Sequence, residues 1–169
     1  DSEKVLNYIK TSYSHKQFTN RGPLVEELES KLSKFHNTKY CITFCNVFWA
    51  LVAAIKGLAL KKRKYILMPS LTCKGLDEAI IWAGFIPLFC DIHSSNLGLD
   101  INSIDRENLK DTALILAAHP LVDCIDANII SQFALSASIP VIFYSAESLN
   151  EALPQGKVGE FGNCEIFSL

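Results

Sequence analysis

Residues 65–92 read YILMPSLTCKGLDEAIIWAGFIPLFCDI, and this stretch decides the fold. Two short apolar runs, YILMPS (65–70) and IPLFCDI (86–92), read as buried strands, and GLDEAIIWAG (75–84) between them reads as a helix. A strand, a covering helix and a second strand form the unit from which parallel sheets are built. The alternation continues in both directions. YCITFCN (40–46), ALILAAH (113–119), IPVIFYS (139–145) and CEIFSL (164–169) have the same strand character. WALVAAIKGLAL (49–60) and DANIISQFALSAS (126–138) read as helices. Near-continuous apolar strands alternating with helices predict an α/β fold, a mostly parallel sheet covered by helices on both faces. Upstream, VEELESKLSKFH places Val25, Leu28, Leu32 and Phe35 on one helical face, and Pro23 stands where a first turn tolerates it. The expectation is a single domain over residues 1–169, with 1–38 an N-terminal helical segment.

Composition sets limits on function. Of the 169 residues 49% are hydrophobic and 20% charged, enough apolar content for a packed core. The formal net charge of −2 gives no electrostatic reason to expect nucleic acid or an anionic membrane as partner. The basic run KKRK (Lys61–Lys64) precedes a strand and reads as a solvated loop. Cysteines at 41, 45, 73, 90, 124 and 164 form no CxxC pair and sit mostly within apolar runs. That scatter fits neither a metal site nor a disulfide framework, so free thiols and a cytoplasmic setting are expected. The longest apolar stretch, AIIWAGFIPLFC, is broken by Gly84 and Pro87, and no signal-peptide pattern opens the sequence. Asp1 in place of Met points to a piece of a longer protein.

In parallel sheets ligands sit at the carboxyl ends of the strands. Chemistry is therefore expected at Asn46–Phe48, Ser70–Lys74, His119–Asp123 and Tyr144–Glu147. A dinucleotide fingerprint is excluded because no GxGxxG follows a strand, and GKVGEFG precedes a strand instead of opening a helix. The P-loop pattern is absent as well.

These strand ends, in this order, resemble a known family. FTNRGPLVEELESKL, CITFCNVFWALVAAIKGLAL, ILMPSLTCKGLDEAIIWAGFIPLFCDI and GEFGNCEIFSL are together similar to the DegT/DnrJ/StrS-type sugar aminotransferases, from about Phe18 to Leu169. The resemblance implies the large domain of the fold type I, pyridoxal-phosphate-dependent aminotransferases, without the C-terminal domain. It also implies transfer of an amino group to a keto-sugar nucleotide, some members acting instead as dehydratases. Active sites of this architecture are normally built at a dimer interface, so a homodimer or other self-association, or a paralogous partner, is expected.

The family pattern assigns cofactor positions to Asn46, Val47, Phe48, Cys73, Tyr144, Glu147 and Ser168, and several depart from it. Family members carry Gly-Thr where this chain has Val47-Phe48, losing the open backbone and the hydroxyl of the phosphate cradle. At the end of the fifth family strand an aspartate normally keeps the cofactor's ring nitrogen protonated, and here the residue is Tyr144. Glu147 replaces a Gln or His, placing a negative charge near the cofactor's phenolate oxygen. Cys73 occupies the ring-stacking position, where many members have an aromatic residue and some a Cys. Ser168 matches a phosphate-contacting serine. The Schiff-base lysine of the pattern falls just past Leu169, and neither Lys74 nor Lys157 stands at a matching place. His119 corresponds to a residue beside the substrate channel, as a possible acid–base group or sugar contact. No residue present is assigned a catalytic role, and no metal is implied.

Three readings follow. A pseudoenzyme of the family, not binding pyridoxal phosphate, is favoured by the number of independent losses. The alternatives are a fragment of a functional aminotransferase and a cofactor-free module that binds a sugar nucleotide or a partner.

Overall fold

The computed structural model describes residues 1–118, 126–149, 152–153 and 156–169. They fall into two compact units, 1–43 and 44–169.

The first unit is a helical pair, α1 (Ser2–His15) and α2 (Pro23–Phe35). Pro23 opens α2, where its missing N–H costs nothing. Lys31 of α2 meets α1 through the Tyr8 hydroxyl at 3.2 Å and pairs with Glu27 one turn earlier. The apolar face expected on α2 is only partly covered, and no residue of that helix is fully buried.

The second unit contains a five-stranded sheet in the order β2-β1-β3-β4-β7. Its strands are β1 (Tyr65–Pro69), β2 (Ile86–Cys90), β3 (Thr112–Ala118), β4 (Val141–Tyr144) and β7 (Cys164–Ile166), and every pairing is parallel. A separate antiparallel pair joins β5 (Ala152–Leu153) to β6 (Gly156–Lys157). Helices α3 (Val47–Leu58) and α4 (Leu76–Ala83) share one apolar cluster with Ile66, Met68, Leu114, Leu116, Ile142, Tyr144 and Ile166. Helix α5 (Ala127–Ser136) shares the other, with Leu67, Ile115, Ala117, Val141 and Phe143. The period-2 alternation of strand side chains sends successive residues to opposite faces, so each strand feeds both clusters. All seven residues of the central strand β3 are buried. This is the α/β architecture with helices on both faces that the apolar runs predict.

One expected strand is absent. Residues 40–46 form no ladder with any described residue, and Tyr40, Ile42 and Phe44 are exposed. The Thr43 N–H, which a ladder would use, donates to the Glu29 carboxylate at 2.8 Å. Alternation supplies strand propensity, but a strand needs a partner, and among the described residues this segment pairs with none.

The KKRK run is more than a solvated loop. The Arg63 guanidinium donates to the carbonyls of Leu109 and Thr112 at 3.3 and 2.9 Å, tying this loop to the start of β3. The thiols divide by environment. Cys90 is buried and pushed up to about 12, mainly by burial, so it acts as a small apolar side chain. Cys45 and Cys73 are exposed, contrary to the expectation for thiols in apolar runs, because both lie in loops after the apolar segments end. Cys124 is outside the described residues.

Candidate functional site

Parallel pairing brings the carboxyl ends of β1, β3, β4 and β7 to one edge of the sheet. His119, just past β3, lies outside the described residues.

Asn46 is the N-cap of α3. Its backbone is extended, at φ −163°, and its side-chain oxygen accepts from Trp49 N–H at 3.0 Å, satisfying one orphan donor of the first turn. Val47 and Phe48 follow in that turn, both half-buried and packed on the cluster that contains Tyr144. The Phe48 ring stands edge-on to Trp49 at 5.3 Å and to Trp82 at 6.3 Å, and the two indoles meet at 5.7 Å. The start of α3 is thus closed by aromatic packing.

After β1 the chain turns through Thr72 and Cys73 into Gly75, whose φ of 104° is the left-handed conformation that starts α4. The Cys73 sulfur lies 3.6 Å from the Tyr144 hydroxyl, a thiol–phenol contact in which either group can donate. This contact bridges from the end of β1 to the end of β4, across the intervening β3. Tyr144 is only 5% exposed. Burial first, then the hydrogen bond to Cys73 and the charges of Cys73 and Glu147, push its phenol well above the ordinary value of 10, so it is neutral at physiological pH.

Beyond Tyr144, Ser145 is fully buried and locked in two directions. Its N–H donates to the Ile166 carbonyl at 2.8 Å, and its hydroxyl donates to the Glu165 carboxylate. The other Glu165 oxygen accepts from Gly159 N–H at 2.6 Å. Glu165 is held above its ordinary value of 4.5, because burial outweighs the hydrogen bonds from Ser145, Gly159 and Phe161. The Ser148 hydroxyl and the Thr72 hydroxyl are buried with no hydrogen-bond partner among the described residues.

The structure therefore joins Cys73 directly to Tyr144, places Val47 and Phe48 in the same cluster, and uses Asn46 as a helix cap. Glu147 is exposed and reaches Tyr144 only through its charge, and Ser168 is exposed beyond β7. Ser145 and Glu165 are the residues that sequence reasoning missed. The available signal was a carboxylate inside the short apolar strand CEIFSL, where a charge needs a built set of donors.

Comparison with known proteins gives a consistent answer. The dTDP-4-amino-4,6-dideoxy-D-glucose transaminase of Escherichia coli is 26% identical over 153 residues, covering 90% of this chain and 41% of that protein. A solved structure of DesI, in the presence of its TDP-sugar product, matches with a TM-score of 0.84 at 23% identity, covering 99% of this chain and 42% of the other. The E. coli GDP-4-keto-6-deoxy-D-mannose-3-dehydratase with bound hydrated PLP matches at a TM-score of 0.77 and 22% identity, covering 93% and 42%. The chain spans about two-fifths of the length of these relatives. Among the described residues no helix is long and apolar enough to cross a membrane. The family model of the aminotransferases matches residues 1–169, and the chain belongs to the DegT/DnrJ/EryC1/StrS aminotransferase family.

Proposed function

We propose that this chain is a non-catalytic member of its family, keeping the aminotransferase fold without holding pyridoxal phosphate. The observation that carries this reading is Tyr144, a buried neutral phenol hydrogen-bonded to Cys73 where the family pattern has an aspartate. The cofactor acts as an electron sink only while its ring nitrogen keeps a proton, and a carboxylate beside it supplies the needed negative charge. A phenol that resists ionisation cannot supply that charge. The glutamate nearby, Glu147, is exposed and replaces a residue that the family pattern keeps uncharged or basic.

The phosphate end gives a second, independent misfit. Helix N-termini hold phosphate when small residues let it approach the backbone N–H groups. At α3 the corresponding positions carry Val47 and Phe48, and the Phe48 ring is engaged with two indoles. The residues present thus do not fit the group at either end.

The test uses pyridoxamine phosphate, which needs no lysine to bind. Equilibrium dialysis against the 169-residue chain is expected to show no saturable binding up to about 1 mM, a concentration that would reveal even a weak site. Saturable binding at micromolar concentrations, displaced by pyridoxal phosphate, would overturn the proposal. The triple variant Val47→Gly, Phe48→Thr, Tyr144→Asp is expected to gain affinity over the parent chain, with circular dichroism checking that it folds.

A further inference from the structure

At the amino end of the sheet, away from the candidate site, the fold gathers cations and leaves them unpaired. Helix α3 ends at Leu58, and the chain turns through LALKKRK (58–64) into β1. A second turn, DRENLKD (105–111), leads into β3. Hydrogen bonds stitch the two turns together. Leu60 N–H donates to the Ala113 carbonyl at 3.0 Å, and Lys64 N–H donates to the Asp111 carbonyl at 2.9 Å. The Arg63 guanidinium reaches the Leu109 and Thr112 carbonyls. The Lys64 carbonyl accepts from Ile86 N–H at 3.0 Å, so β2 starts from the same frame.

On this frame stand Lys56, Lys61, Lys62, Lys64, Arg106 and Lys110, all exposed. None has an ion-pair partner among the described residues. The Asp105 carboxylate is engaged locally, accepting from Glu107 N–H at 2.9 Å and from the Asn108 amide at 3.2 Å. The C-terminal dipole of α3 favours a cation such as Lys56, but its effect falls off within a turn and does not account for the others. Like charges held together on one rigid end repel one another, and an anionic partner relieves that repulsion.

The surroundings choose among anions. Arg63, the guanidinium of the KKRK run, points its fork at backbone carbonyls, so the run meets solvent mainly through lysines, which act as point charges. Neither turn contains an aromatic side chain on which a nucleic-acid base could stack. Glu107 and Asp111, both exposed at the border, would repel an unbroken phosphate backbone laid across the patch. The whole chain carries −2, so attraction is confined to about one Debye length, ~8 Å, from this end. A short carboxylate-rich peptide meets these conditions, since it can set a neutral or basic residue opposite Glu107 and Asp111.

We infer that the amino end of the sheet, built on the turns 58–64 and 105–111, is a docking surface for a short acidic segment of a partner protein. This surface lies at the opposite end of the parallel strands from Tyr144, and its charge is the same whether or not a cofactor is held.

Fluorescence anisotropy of a dye-labelled hexaglutamate peptide, titrated with the 169-residue chain in about 20 mM salt, is expected to give a dissociation constant of about 10–200 µM. Binding should weaken about tenfold by about 150 mM salt, as exposed charges are screened. Lys62→Glu should weaken it by about fivefold or more, and Lys62→Gln by less. Lys74→Glu makes the same charge change at the carboxyl end of β1, on another exposed lysine, and should leave binding within about twofold. Circular dichroism checks that each variant folds, and Lys62→Gln carries the test should the reversal unfold the chain. Absence of saturable binding at low salt, or equal loss in the Lys62 and Lys74 variants, would overturn the assignment. Tighter binding of a hexathymidylate oligonucleotide than of the peptide would overturn it in favour of nucleic acid.

Discussion

At the scale of single residues, Tyr144 carries the proposed reading, and its environment makes testable demands. Its hydroxyl meets Cys73 at 3.6 Å, a long contact to a weak partner. Tyr144→Phe should therefore cost about 1 kcal/mol or less, read from urea unfolding. Tyr144→Asp should behave differently. A carboxylate at a position 5% exposed, among apolar neighbours, is a buried charge without a counter-ion, and should cost about 3–5 kcal/mol. If Asp proved as harmless as Phe, the site would be more polar than its packing indicates, and the case against the cofactor would weaken. The proposed replacement of a family Asp by Tyr144 rests on the strand pattern and can be read from the sequence. The partner of Tyr144 cannot, because Cys73 is 71 residues away and only strand order brings the two together. The same holds for Ser145 and Glu165. Their bond joins the ends of two strands, and sequence spacing carries no trace of it.

At the scale of elements, β7 and the turn before it show how one carboxylate and one glycine hold a sheet edge. Gly162 adopts φ +67°, and a Cβ there would come within 2.8 Å of the Phe143 ring and 2.9 Å of the Val141 carbonyl. Gly162→Ala combines left-handed strain with a clash against backbone, and should lower stability by about 2–4 kcal/mol in thermal or chemical unfolding. Glu165 gives a pH signature. Its folded-state value is raised, so its contribution to stability is fully present below the ordinary value of 4.5 and is lost as pH rises through the raised value. Glu165→Gln should remove this slope, leaving a flatter stability profile above pH 4.5 while keeping an acceptor for Ser145. A variant profile parallel to the parent's would show that Glu165 does not titrate in this window. Elements differ in how legible they were. Runs such as ALILAAH and YILMPS are continuous and apolar, because a strand covered on both faces has no polar side to show. Residues 40–46 have nearly the same composition, yet remain unpaired. Pattern records what a segment can do, whereas pairing depends on an edge supplied from elsewhere.

At the scale of the whole molecule, burial is uneven. Residues 1–43 contain no fully buried apolar side chain, while β3 is buried along its entire length between two neighbouring strands. Local opening costs least where few apolar groups are covered. Hydrogen exchange followed by mass spectrometry should therefore find peptides from α1 and α2 exchanging quickly, and peptides covering 112–118 protected longest. Equal protection in both would show that the first unit is stabilised by more than its own packing. The α/β class and the order of helices and strands could be read from the chain alone, since they follow from local periodicity. The helical segment over 1–38 could be read as well, whereas the boundary after residue 43 depends on how much surface each segment finds to cover.

The packing around Phe48 and Tyr144 also bears on how this corner tolerates substitution. Phe48 is wedged among Trp49 and Trp82, and Tyr144 is seated in the same apolar cluster. Threonine alone at 48 would open a hollow beneath the indoles, and aspartate alone at 144 would strand a charge. Each change lowers stability on its own, and only several together could build a cofactor cradle here. On the proposed reading, substitutions arriving one at a time would each meet a stability cost before a cofactor cradle could form, so the packing of this corner resists stepwise change.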